Sequence, residues 1–499
     1  MNILYLPLDE RPCNYRYPND IASTNSNVQL IRPELDKLGL KKQEANFTNI
    51  KAFLEEHCDN HTTIICSIDM VVYGGLIPSR IHHYQFLELE ARLMYLQQLK
   101  EQYPKLKIYG FSSIMRTPSY SSSDEEPDYY EQYGEQIYKR KAILDKIARL
   151  GDCEQLNSEL NAIDVPDEII KDYEQRRATN LQINRKVLEL VKSTVIDHLV
   201  IFQDDSAPYG YTAIDQKNIK DYIHQLNLDF KVDIYPGADE VGCSLLSRAY
   251  NEANAIQNKI YVEYSSINGP QLTPLYEDRP MYETLKSHID VTNSIIVESP
   301  AEADYLLMIN APGEKMQESW DQFEQRDRTY DSHRNLKYFV AKIKYYIDLG
   351  KKVAIADCAY ANGCDIELIR LLDELNLLDK IYGYTGWNTH ANTLGTVIST
   401  MQITEGINHE LITNNINHII EAGFYQAIVR MDITKNTLSK YDLNYFDLKQ
   451  HQATIVNLEI EQLSKLYKQL NISEKYPLQL LEVLHPWNRM FEIDVNIKI

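Results

Sequence analysis

Nine short apolar runs, each closed by a polar or glycine-rich loop, recur between longer stretches of helical periodicity through most of this 499-residue chain. The runs are Asn2–Leu8, Thr62–Ile68, Lys107–Phe111, His198–Gln203, Lys231–Tyr235, Lys259–Tyr264, Asp304–Ile309, Lys352–Ala356 and Lys380–Tyr384. Runs this short and this apolar read as buried parallel strands, and the intervening segments as crossover helices. Helices are expected over Tyr84–Gln102, Asp215–Leu226, Asp239–Asn254, Asn335–Leu349 and Ile366–Leu377. Repeated βα units leave two architectures: a closed barrel, or open doubly wound sheets. Polar residues fall at nearly every strand end rather than at one switch point. That distribution favours an α/β fold of the (β/α)8 TIM-like barrel type, with all loops around one mouth.

Two segments break the rhythm. A charged, tyrosine-rich stretch over residues 117–196, after the third strand, reads as a helical insertion covering the mouth. The expected barrel therefore spans residues 1–400, and residues 401–499 read as a mainly helical C-terminal domain that includes a helix over Asp447–Leu470 and a possible terminal strand.

The sharpest candidate site lies at the end of the fourth strand, where HLVIFQDDSAPYGY places Asp204 and Asp205 side by side. Adjacent carboxylates push their pKa values apart, which supplies one proton donor and one lasting anion. The competing reading is a helix cap beside a solvated acid. Other strand ends add Asp9, Glu10 and Arg11, suited to charge-assisted hydrogen bonds to a polar ligand. Asp69 and Arg80 flank Gly74-Gly75, which lacks the Lys-Ser/Thr pair of a P-loop. Asp239 and Glu240 either favour the start of the next helix or face the Asp204–Asp205 pair. Asp357, Asn362, Trp387 and Asn388 supply the acid, amides and ring expected around a sugar, with Asn388 and Asn392 also able to cap a helix.

Composition narrows the function. The formal net charge of −21 argues against nucleic acid and anionic membrane surfaces as partners. The N-terminal apolar run is too short for a signal peptide, and no run reaches membrane-span length, so a cytoplasmic location is expected. Seven scattered cysteines without a CxxC spacing point to neither a disulfide framework nor structural zinc, and Cys358 reads as a buried inert thiol. The 36 tyrosines suit surfaces that contact polyhydroxylated ligands, and equally suit simple compositional drift. His82 and His83 do not form an HxH or HExxH spacing, although Asp69, Asp204, Asp239 and Asp357 leave open an all-oxygen Mg²⁺ or Ca²⁺ site.

LPLDERPCN, VVYGGLIPSR, PGADEVG and GWNTHANTLGT together resemble an uncharacterised bacterial family of about this length, a domain of unknown function, over essentially the whole chain. A remoter resemblance, in motif order, is to the barrel of O-GlcNAcase and hyaluronidase-type β-N-acetylglucosaminidases. IFQDD, YPGADEVGC, ADCAYANGCD and GWNTHANTLG stand where that family carries its strand-end motifs, whereas LDERPCN replaces its Gly-Phe-Tyr-Gly signature. The resemblance implies that Asp204 orients a substrate acetamide and Asp205 acts as general acid/base, in substrate-assisted retaining hydrolysis. The resulting expectation is a glycoside hydrolase acting on a small saccharide without a cofactor, with β-N-acetylhexosaminidase the type that the resemblance implies. A Mg/Mn-dependent hydrolase or lyase using the same carboxylates and a non-catalytic carbohydrate-binding barrel are the alternatives. Oligomeric state is left open.

Overall fold

The computed structural model describes residues 1–151, 153–204 and 207–499. The chain is a mixed α/β protein built on two parallel sheets. The first contains β1 (Asn2–Leu6), β2 (Gln29–Ile31), β3 (Thr63–Ser67), β4 (Lys107–Ile114), β5 (His198–Gln203) and β6 (Val232–Pro236), in the order β2-β1-β3-β4-β5-β6. The second contains β7 (Asn258–Tyr264), β8 (Ser294–Val297), β9 (Tyr305–Asn310), β11 (Val353–Asp357) and β13 (Tyr384–Thr385), in the order β13-β11-β9-β7-β8. Two small pairings complete the strands: β10 (Gln317–Glu318) beside β12 (Tyr360–Ala361), and a terminal hairpin of β14 (Leu480–Leu484) and β15 (Asp494–Lys498).

The expected single barrel is not found among the described residues. Both sheets are open, and both follow one winding pattern: the second strand in sequence lies outside the first, and the later strands follow on the other side. That is the doubly wound order with a switch point between β1 and β3, and again between β7 and β9. The edge strands β2 and β8 have three and four residues, too few to register as apolar runs.

Alternating residues explain how the first sheet is covered. Leu4, Leu6, Ile64, Cys66, Ile108, Leu199 and Ile201 pack under the helices Phe47–His57, Phe86–Leu93 and Asp167–Lys192. The intervening Ile3, Tyr5, Ile65, Phe111, Val200 and Phe202 face the helix Val241–Ala253. That helix packs on His390–Ile403, which in turn lies on the second sheet, so two helices fill the space between the sheets. Every residue of His390–Ile403 is buried, and its small side chains permit the close approach. Ser399 Oγ donates to the Cys243 carbonyl at 2.7 Å, and a Cβ at Gly395 would collide with the Glu240 carboxylate.

Residues 117–196 contain the helices Tyr130–Leu150, Glu154–Asn161 and Asp167–Lys192. The last is the crossover from β4 to β5 and contributes Ile183, Val187, Leu188 and Val191 to the core. Residues 401–499 carry the helices His409–His418 and Gln452–Tyr467, an eleven-residue π-helix at Ile419–Val429, and the terminal hairpin. No described helix is long and apolar enough to cross a membrane.

Candidate functional site

The carboxyl ends of both sheets open onto one cavity of about 270 Å³. Arg11 follows β1, Gln203 and Asp204 end β5, and Gly237–Asp239 follow β6. Glu277 comes from the loop after β7, Asn362 follows β12, and Asn388 and Asn392 follow β13. The polar strand ends thus surround a shared cleft without the strands closing a barrel.

On the first-sheet side a buried guanidinium links two acids. Arg11 donates from Nε (3.0 Å) and Nη2 (2.7 Å) to Asp9 Oδ2, and from Nη2 (2.6 Å) and Nη1 (3.3 Å) to Asp239. Asn14 Nδ2 donates to both carboxylates, and Asp9 Oδ1 also accepts the Arg11 amide. One cation between two carboxylates leaves an excess negative charge. Burial first, then the nearby Asp9 and Asp204, push the Asp239 carboxyl up to about 6 against the pull of Arg11. Asp239 lines the cavity.

Asp204 stands beside it. Its Oδ2 accepts from Arg80 Nη2 at 2.7 Å and lies 3.7 Å from Arg116 Nη1. Behind this pair, Glu125 accepts from Arg80 (3.1 Å), Arg116 (3.0 Å) and Arg489 (2.6 Å). Burial opposes its ionisation, yet the three guanidiniums hold its carboxyl well below the ordinary range. Lys41 pairs with Asp124 at the rim. The cavity wall carries Arg11, Arg116 and Arg489 against Asp124, Glu125, Asp204, Asp239 and Glu277, so acids outnumber bases. Such a wall favours a neutral or cationic ligand over an anionic one.

The remaining candidates divide between support and core. Glu10 accepts from the Lys41 amide (2.7 Å) and from Trp487 Nε1, fastening the C-terminal loop to the first strand. Arg80 is almost wholly buried behind Asp204. Asp69 does not reach the cavity: it accepts from the amide (2.9 Å) and hydroxyl (2.6 Å) of Ser113 on β4. Glu240 is buried against Ser244 and His288. Asp357 belongs to a separate buried network, accepting from Asn310 (2.8 Å), the Asp365 amide (2.9 Å) and Tyr384 (2.9 Å), while Arg334 pairs with Asp365 at 2.6 Å. Asp69 and Asp357 therefore do not join Asp204 and Asp239 in one cation site. Trp387 packs edge-on to Tyr17 at 6.2 Å, inside the core rather than on the cavity wall. Asp205 lies outside the described residues.

Several wall residues carry no motif that marks them. Asp124 and Glu125 sit in the acidic run SDEEP, and Arg489 and Phe491 in the terminal run HPWNRMFE. Tyr445 and Phe446 add aromatic surface.

The fold and site define a class: a mixed α/β protein of two parallel sheets with a carboxylate-rich cleft at their strand ends. The chain belongs to the family described as protein of unknown function (DUF4127), whose model matches residues 3–496. Comparison with curated proteins finds no match.

Proposed function

We propose that this protein is a carboxylate-based hydrolase of small hydroxyl-rich molecules, a glycoside hydrolase in reaction class. The observation that carries the proposal is Asp239, a cavity-lining carboxyl pushed up to about 6, set beside Asp204 on the neighbouring strand end. Glycoside cleavage requires an acid to protonate the leaving oxygen and an anion to stabilise the developing positive charge. Asp239 meets the first requirement, and Asp204, fixed by Arg80, the second. The amides of Asn362, Asn388 and Asn392 and the rings of Tyr276 and Tyr445 suit a saccharide's hydroxyls and C–H face. An acetamide-assisted route, with Asp204 orienting the acetamide and Asp205 instead of Asp239 as the acid, is the alternative assignment within the same reaction class, and full turnover in Asp239→Asn would favour it.

A panel of nitrophenyl hexosides and N-acetylhexosaminides, run with and without EDTA, tests it. Turnover should be indifferent to EDTA and fall as pH rises through about 6, because the acid is active only while protonated. Asp239→Asn should lower kcat/KM roughly 10²–10⁴-fold with folding retained. Undiminished turnover in that variant would remove Asp239 from the mechanism. A second reading, saccharide binding without chemistry, draws support from the engagement of both Asp239 oxygens by Arg11. Saturable sugar binding with no turnover across the panel would establish it instead.

A further inference from the structure

Three asparagines on the second-sheet side of the cavity form a directed hydrogen-bonded ladder. The Asp239 amide donates to Asn392 Oδ1 (3.2 Å), Asn392 Nδ2 to Asn388 Oδ1 (3.1 Å), Asn388 Nδ2 to Asn362 Oδ1 (3.2 Å), and Asn362 Nδ2 to Glu318 Oε2 (2.9 Å). Both ends fix the direction. A backbone N–H can only donate, and a carboxylate can only accept, so none of the three amides can flip without breaking a link. The far end is fastened again, because Glu318 Oε1 also accepts from the hydroxyl of Tyr276, another cavity residue.

The backbone is arranged around this ladder. Asn362 and Asn388 adopt left-handed φ values of 54° and 59°, and Tyr276 has φ 69°. A bulky residue with positive φ is costly and persists where the surroundings hold it, which is commonly at a binding site. The Asn362 amide also donates to the Asn388 carbonyl at 2.7 Å, lacing the two loops together.

Each asparagine side chain offers two N–H donors and an oxygen with two lone pairs. The ladder uses one donor and one lone pair of each. Among the described residues the other donor and lone pair have no protein partner, and all three residues line the cavity. An amide with one N–H and one oxygen site free matches two adjacent hydroxyls: it donates to one oxygen and accepts from the other. We infer that Asn362, Asn388 and Asn392 form a subsite for vicinal diols, with Tyr276 beside it, and that this row of amides selects neutral polyols by their adjacent hydroxyls. The inference rests on the proposed hydroxyl-rich substrate and names what the cavity reads in it. Because the ladder begins on the Asp239 amide, a diol held there also fixes the ligand's position relative to that carboxyl.

Calorimetric titration tests the subsite without requiring turnover. The probes are the methyl α-glycosides of glucose, mannose and galactose, together with the 2-, 3- and 4-deoxy forms of the glucoside, mannoside and galactoside. Asn388→Gly and Asn362→Gly remove the amides while keeping the left-handed backbone that glycine adopts freely, and their thermal midpoints report folding. At least one parent glycoside should bind the wild-type protein. Loss of one hydroxyl of its diol, or either glycine substitution, should weaken it tenfold or more. The deoxy sugar should then bind variant and wild type alike. Binding of no parent glycoside, or parent binding unchanged in both folded variants, would overturn the subsite. Diol binding that follows this pattern without hydrolysis refutes the hydrolase and leaves the subsite standing. Aryl-glycoside turnover with no ladder dependence does the reverse.

Discussion

Arg11→Met is the most searching perturbation of the cleft, because it removes the cation that bridges the Asp9 and Asp239 carboxylates while keeping an apolar stem of similar length. Arg11 is 5% exposed, and its guanidinium makes four hydrogen bonds of 2.6–3.3 Å to Asp9 and Asp239. Removing one partner of a buried ion pair costs about 3–5 kcal/mol, mostly the penalty of stranding the other charge. Here two charges are stranded, so the upper half of that range is expected at pH 8. The loss also has a defined pH dependence. The Asp239 carboxyl already titrates near 6 in the folded state, above its ordinary value of 3.8, with Arg11 pulling it down. Without Arg11 its folded value rises further, while its unfolded value stays put.

A carboxyl whose folded pKa is raised contributes stability that is present at low pH and lost as pH rises toward the folded value. Wild type completes that loss near pH 6, whereas the variant continues to lose stability above it. The difference between the two proteins should therefore be smallest below about pH 6 and widen above it, by at most about 1.4 kcal/mol per pH unit for one proton. Urea unfolding of both proteins from pH 5 to 8 measures this directly. A deficit under about 1 kcal/mol at pH 8, or one that does not change with pH, would refute the claim that Arg11 holds down the Asp239 carboxyl.

Two further substitutions probe the frame. Gly242→Ala should destabilise by about 1–3 kcal/mol in urea unfolding, because its Cβ would lie 2.2 Å from the Tyr5 hydroxyl that donates to the Asn14 carbonyl; a negligible change would mean that the helix sits further from the first sheet. Arg430→Met should change stability by no more than about 1 kcal/mol, since this buried guanidinium has no carboxylate partner among the described residues and lies 4.9 Å over Trp320. A loss of several kcal/mol there would reveal an anion bound to it.

The strands were legible because burial on both faces demands continuous apolar runs, and β5 spans the expected His198–Gln203. Their order was not legible. Polar residues at most strand ends are produced equally by one barrel mouth and by two open sheets converging on a cleft, and the short edge strands that would have distinguished them carry little hydrophobic signal. The same ambiguity governed the acids. Asp69, Asp239, Glu240 and Asp357 all lie at or after strand ends, yet Asp69 satisfies the β4 amide at Ser113, Glu240 faces the inter-sheet helices, and Asp357 accepts from Asn310 within the second sheet. Which of them meets solvent depends on which strand is next door, and that is a property of the sheet rather than of the segment.

The sheet also gives Asp204 a carboxylate neighbour from another strand. Asp205 adjoins Asp204 in sequence and lies outside the described residues, while the parallel register of β5 and β6 sets Gln203 opposite Pro236, so the strand ends bearing Asp204 and Asp239 emerge together. Coulombic repulsion between them is part of what raises Asp239, and Arg11 and Arg80 hold one carboxylate each. Burial is the larger cause, and it acts on Asp239 against the pull of Arg11.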